Sequence, residues 1–238
     1  TTGVYNADRV VEIAIVTIDP SGQVVDEFDT LINPERDVGP SHIHGVSASM
    51  VSPAPTFGDV AGEVAKRLDG KVLVCHNVSF DLRMLTNEFE RMNAVLHPGE
   101  TLCTLSASGE RLGLACETHG IELSHAHRAL ADAQATGLLA RALGLRTPGP
   151  GMSFSNAPPS NLVRTHRREV GFVKDHSPLG RVVQAIHYPS ASAPVLSYFQ
   201  ALDWVLDDNV VDLEERLYLE AVAVELGLSE SDVRSAHE

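Results

Sequence analysis

Lys71–Leu85 reads KVLVCHNVSFDLRML, and its two halves follow different periods. KVLVC is a short apolar run of the kind that makes a buried strand. Asp81 then opens a stretch in which Leu82, Leu85, Phe89 and Met92 share one helical face. A strand feeding an amphipathic helix is the repeating unit of an α/β domain, whose ligand sites lie at strand ends. Asp81 stands at that junction.

The chain on either side fits the same architecture. Upstream, VVEIAIVTI is rich in β-branched residues and reads as a strand, SGQ as a turn, and VVDEFDTLINP as the partner strand of a meander. VGPSHIHGVSASMVSPAPTF is a loop full of turn formers, and GDVAGEVAKRLDG is a helix with Val60, Val64 and Leu68 on one face and Gly70 as its stop. Downstream, residues 101–120 read as a shorter helical pair ending at Gly120. HRALADAQATGLLARALGL is a helix with Leu130, Ala133, Leu138, Ala142 and Leu145 at its apolar positions. TPGPGMSFSNAPPSN has linker composition, and RTHRREVGFVKD is a basic segment, either a small strand or an ordered arm. From about Val195 the pattern is helical again, with Phe199, Leu202 and Leu206, a break at DDNVV, then Leu213, Leu217, Ala221 and Val224. Asp212 with Glu215, and Ser229 with Asp232, are capping-box-like starts. We therefore divide the chain into an α/β domain over 1–146, a linker with a basic segment over 147–194, and a partial helical domain over 195–238. A domain that opens at a turn and a chain that stops at AHE lead us to expect that both ends are cut.

Composition narrows the class. Hydrophobic content of 43% with 21% charged residues is that of a globular protein. No apolar run approaches the roughly 20 residues of a membrane span, and there is no secretory start, so the expected setting is the cytoplasm, away from membranes. Cys75, Cys103 and Cys116 show no CxxC spacing and an odd count, which leaves them as buried, reduced thiols. The net charge of −14 is unevenly spread. Residues 1–146 hold 19 acids and 11 bases, 147–196 hold 2 and 5, and 197–238 hold 11 and 2, giving −8, +3 and −9. An acidic first domain is compatible with phosphate chemistry when its carboxylates hold divalent cations.

HRALAD places His127 five residues ahead of Asp132 at the mouth of a helix. Asp81, Asp132 and His127, drawn from different elements, suit a metal-assisted hydrolysis in which the imidazole handles the proton. Three stretches together carry a resemblance: TTG followed by DRVVEIA, then HNVSFDLRML, then HRALADAQAT, with IHGVS between the first two. In this combination the chain, over about residues 1–145, resembles the DEDDh (DnaQ-like) group of 3'-5' exonucleases, which includes the proofreading epsilon subunit of bacterial DNA polymerase III and ribonuclease T.

The resemblance implies a ribonuclease H-like mixed α/β sheet with flanking helices, its first strand missing from this chain. It implies two Mg²⁺, or Mn²⁺, held by four carboxylates around the scissile phosphate of a DNA 3' end, with Asp81 and Asp132 as two of the ligands and His127 as general base. His125 is the neighbouring decoy. Thr2 and Gly3 are expected under the terminal nucleotide, with Val4 beside its base, His44 approaching it, and Asn77 and Phe80 forming a wall next to Asp81. His76 is equally a structural hydrogen-bonding residue. In the group a DxE pair precedes TTG and supplies the other two carboxylates. This chain begins at Thr1, so we expect weak metal binding and little activity from it as it stands. Asp8 and Glu12 are the only substitutes in reach, and Glu12 reads as structural.

Other readings follow from the same residues. A 3'-5' exoribonuclease uses the same ligands, because carboxylates do not report on the 2'-hydroxyl. A non-catalytic module binding nucleic acid or a protein partner fits the missing pair. Arg164, Arg167 and Arg168 are a basic cluster that reads as a solvated linker or as contacts to a substrate backbone. The acidic tail, LDDNVVDLEERLYLEAVAVELGLS, resembles tellurite-resistance-type helical domains and is a candidate docking element for a polymerase or another protein. DDNVVDLEE is not an EF-hand loop, since Asp208 falls where glycine is required.

Overall fold

The structure, a computed structural model, describes residues 1–3, 7–39, 41–123, 128–146, 149–161, 164–168, 187–206, 211 and 213–237. Val4, His125, His127 and Asp212 lie outside these. The meander forms as expected: β1 (Glu12–Ile18) pairs antiparallel with β2 (Val24–Leu31), from Glu12 opposite Leu31 to Ile18 opposite Val24. Asp19 closes the turn by accepting from the backbone N–H groups of Ser21 and Gln23. The loop that follows contains two single helical turns, α1 (Ser41–His44) and α2 (Ala48–Val51). Turn formers and Pro gave them no periodicity to read.

Helix α3 (Phe57–Leu68) starts at a reciprocal cap, Thr56 N–H donating to Asp59 at 2.8 Å and Asp59 N–H returning to Thr56 Oγ1 at 3.3 Å. Its expected face, Val60, Val64 and Leu68, is buried. β3 (Leu73–Cys75) runs into α4 (Val78–Glu90), which begins three residues before Asp81. After β4 (Val95–His97) comes β5 (Thr101–Cys103), parallel to β3. The helical pair expected over 101–120 is thus a strand and then α5 (Thr104–Ser108) and α6 (Leu112–Thr118). Three residues are too few for a strand's period to declare itself.

Helix α7 (Ala129–Ala142) packs against β1 and β3. Next, β6 (Ser153–Ser155), inside the expected linker, pairs antiparallel with β4. Met152 is buried, and Phe154 lies 4.9 Å from the ring of Phe89, which meets Phe57 edge-on. The division at residue 146 therefore does not coincide with the edge of the packed core. The architecture is α/β, and among the described residues the strands form three two-stranded pieces.

The acidic tail forms α8 (Ala193–Val205), α9 (Leu213–Glu225) and α10 (Glu230–His237). Ser229 and Asp232 make the expected reciprocal cap. The packed face is rotated from the expected one: Tyr198, Ala201, Val205, Tyr218, Leu219 and Val222 are inside, whereas Leu206, Leu213, Leu217 and Val224 are exposed. Among the described residues no helix is long and apolar enough to cross a membrane.

Candidate active site

Asp81 occupies the first turn of α4, directly after the end of β3. Asn77 caps the helix in the left-handed region, φ 71 and ψ 62, which Asn tolerates better than most residues. Desolvation raises the Asp81 carboxyl to about 6, while a hydrogen bond from the Cys75 thiol and the Thr1 ammonium pull it back. The Cys75 thiol is itself pushed well above its ordinary value, by burial and then by the charge of Asp81, so it stays protonated and donates. Asp81 is thus a partly buried carboxylate whose charge a cation would stabilise.

Asp132 holds the equivalent place on α7. Its N–H bonds to Arg128 O at 3.0 Å, and its charge, after burial, raises the Cys116 thiol. Glu12 Oε2 accepts from Ala129 N at 3.3 Å and lies 3.6 Å from Arg168 Nη1. Glu12 therefore serves the start of α7, in line with its structural reading. Asp8 accepts from Thr2 Oγ1 at 2.7 Å and sits 3.5 Å from Arg36.

A chain of contacts joins the remaining sequence-derived positions. Thr2 is buried and accepts from Arg9 N, and Gly3 lies against Asp8, where a Cβ would come within 2.4 Å of Oδ2. Gly39, at φ +73, closes on Thr2: a Cβ there would be 1.9 Å from Thr2 O. The adjacent Val38 carbonyl takes a hydrogen bond from His44 Nε2 at 3.1 Å, and His44 Nδ1 accepts from Val46 N at 3.0 Å, which fixes the Nε2–H tautomer. Arg168 Nη1 donates to His44 O at 2.9 Å. Desolvation lowers the Thr1 amino group to about 6, and the charges of Glu12, Asp8 and Asp81 offset part of that fall. Contacts thus run from Thr2 through Gly39, His44, Arg168 and Glu12 to the first residue of α7. His127 immediately precedes Arg128, outside the described residues.

Asn77 and Phe80 are found beside Asp81, with a neighbour the sequence did not suggest. Asn77 Oδ1 accepts from Ser79 Oγ at 2.8 Å and from Ser197 Oγ of α8 at 3.1 Å. Phe80 packs against both the α/β core and the helical core of the tail. Arg168, in the segment that reads as a solvated linker, is 4% exposed. No sequence signal distinguishes one buried arginine within a basic run. Among the described residues no group of three or more His, Cys, Asp or Glu side chains forms a metal-holding set. The candidate ligands remain Asp81 and Asp132.

Comparison with known proteins bears on these same segments. The sequence pattern of the exonuclease family described as RNase_T matches residues 1–139. The DNA polymerase III PolC-type of Oceanobacillus iheyensis is 33% identical over 142 residues, covering 56% of this chain and 10% of that protein. The 3'-5' exonuclease DinG of Bacillus subtilis is 34% identical over 143 residues, covering 56% and 15%. The chain therefore spans only a small part of the curated relatives it matches. Among solved structures, Exonuclease X in complex with 5' overhanging duplex DNA is 27% identical, with 61% of this chain and 90% of that one covered and a TM-score of 0.48.

Proposed function

The chain belongs to the RNase_T exonuclease family, and on that premise we propose that it serves the hydrolysis of phosphodiester bonds one nucleotide at a time from the 3' end of single-stranded DNA. The observation that carries this reading is the placement of Asp81 in the first turn of α4, just past the end of β3, in a desolvated setting. The 3'-5' polarity is supported by the DinG relatives, and DNA by the name of the PolC-type relative. That name is also the support for a polymerase partner.

Asp81 and Asp132 are the residues that would hold Mg²⁺ or Mn²⁺. The raised pKa of Asp81 fits that task, because a carboxylate that is costly to ionise in an empty site is stabilised by a divalent ion. Bound there, such ions supply charge stabilisation at the phosphate oxygens and a more acidic water. The side chains do the rest. Thr2 and Gly3 give a floor of closely approaching backbone, and the fixed His44 ring borders it. Asn77 and Phe80 wall the side next to Asp81, and His127 takes the proton of the attacking water.

The test is release of the terminal nucleotide from 3'-labelled single strands in Mg²⁺, using the chain preceded by a DxE-bearing strand. We expect turnover, and a loss of roughly a hundredfold or more in His127→Ala. Equal rates for the extended chain and its alanine variant would remove His127 from the mechanism. A second reading is a module that binds strands without cutting them. Tight binding without turnover in the extended chain would select it.

A further inference from the structure

The tail helices do more than pack beside the candidate site, because they enclose space with it. A cavity of about 210 Å³ lies between α4 and the pair α8–α9, lined by His76, Asn77, Phe80, Arg83, Gln200 and Glu225 among others. Phe80, one of its lining residues, directly precedes Asp81 in the chain. Ser197, reaching from α8 to Asn77, and Phe80, packed into both cores, hold its two sides together.

The lining has the chemistry of a base site. Phe80 offers an aromatic ring with the Arg83 guanidinium 5.7 Å from its centroid, and bases stack on both kinds of plane. Gln200, Asn77 and Ser197 place amide and hydroxyl groups around that platform, which is what the edge of a base pairs with. Arg83 is balanced by Glu225 at 2.8 Å, so the lining carries no surplus charge to draw in a phosphate or a cation. One buried atom of the lining residues, Arg83 Nε, has no hydrogen-bond partner among the described residues. Such an atom is costly unless a ligand or water completes it. The volume falls below the roughly 300 Å³ at which pockets for small molecules usually begin, so a single ring system fits better than a whole nucleotide.

We propose that the cavity between α4 and α8–α9 is a nucleobase site for the substrate strand, in which Gln200 and Ser197 of the tail read or hold a base next to the one being removed. This rests on the exonuclease reading and adds to it. The acidic tail is then part of the substrate groove, and a strand enters it by its neutral bases while its phosphates keep away from Glu225.

The experiment is fluorescence anisotropy of the full chain with labelled single-stranded oligonucleotides in EDTA, intact or carrying one abasic site at successive positions from the 3' end. Free nucleosides are run as competitors. We expect one abasic position, inside the terminal nucleotide, to weaken binding by about tenfold. Gln200→Ala should weaken the intact strand several-fold and erase that penalty, with circular dichroism unchanged. Gln200→Glu should shift the preferred base at that position alone. If no position depends on Gln200, the base site is refuted while the exonuclease reading stands. If the cavity takes free nucleosides as well as it takes strands, it is not a substrate-strand site. If no strand binds at all, the base site is refuted, while the exonuclease reading is judged by nucleotide release in Mg²⁺.

Discussion

At the scale of single residues, Asp81 is the side chain whose environment works against it. Its carboxyl ionises at about 6 in the fold against 3.8 as the ordinary value, with desolvation the largest cause. A raised acid pKa means the folded chain binds more protons than the unfolded one between these values. Stability is therefore greatest below about pH 4 and declines as pH rises through 6. Asp81→Asn removes the penalty. Without metal it should melt a few degrees above the parent at pH 7.5 and level with it at pH 4, at roughly 2–4 °C per kcal/mol for a chain of this size. A melting gain as large at pH 4 as at pH 7.5 would show that the charge is not the cause. The place of Asp81 at the start of a helix after a strand was legible from the change of period at HNVSFD, whereas a role for it came only with the family resemblance, because an acid there is more often a helix-dipole partner. Arg168 was not legible, because nothing in RTHRR tells which guanidinium turns inward to the His44 carbonyl and Glu12.

At the scale of elements, α4 is fixed by its two ends. At its start, Asn77 adopts φ 71, so Asn77→Ala should cost about 1–2 kcal/mol for a side chain that resists the left-handed region, and Asn77→Gly less, by urea denaturation. Near its end, Glu88 is 1% exposed and accepts from Arg9 at 3.0 Å and Val10 N at 3.0 Å, with Arg91 at 3.4 Å. Glu88→Ala should lose about 3 kcal/mol, because it strands donors around a buried position. A loss below 1 kcal/mol would mean that water replaces the carboxylate. Helix α3 was legible from its apolar period and its glycine stop, though not from its Thr56–Asp59 cap. The tail helices were legible as helices but not in their facing. Their small and aromatic residues, Ala201, Tyr198 and Tyr218, form the seam, while leucines such as Leu213 and Leu217 face outward. A hydrophobicity pattern ranks leucine above alanine, whereas close helix packing does not. β4, β5 and β6, three residues each, carry too little sequence for a period, and their pairing depends on distant partners.

At the scale of the whole molecule, the tail is clipped to the α/β part through Arg111 on one side and Arg83 on the other. Arg111 makes a two-pronged pair with Asp203 of α8 and lies 4.2 Å over the ring of Tyr188, whose hydroxyl also donates to Asp203. Burial and Asp203 push the Tyr188 hydroxyl far above its ordinary value, so it remains a donor at any working pH. Asp203→Ala should release α8, seen as faster proteolytic cutting within residues 187–206 while the α3–α4 core stays protected. Unchanged cutting would show that the apolar seam alone holds the tail. The arrangement ties a strongly acidic segment to the proposed site for an anionic polymer, and the neutral lining of the cavity between them is compatible with both.

The claim on which all of this turns is that Asp81 and Asp132, from α4 and α7, address one cation pocket. Mn²⁺ titration followed by electron paramagnetic resonance, on the extended chain and on its Asp81→Asn and Asp132→Asn variants, tests it most directly. The account predicts saturable binding in the parent, weakened by tenfold or more in each variant. It is contradicted if either substitution leaves the titration unchanged.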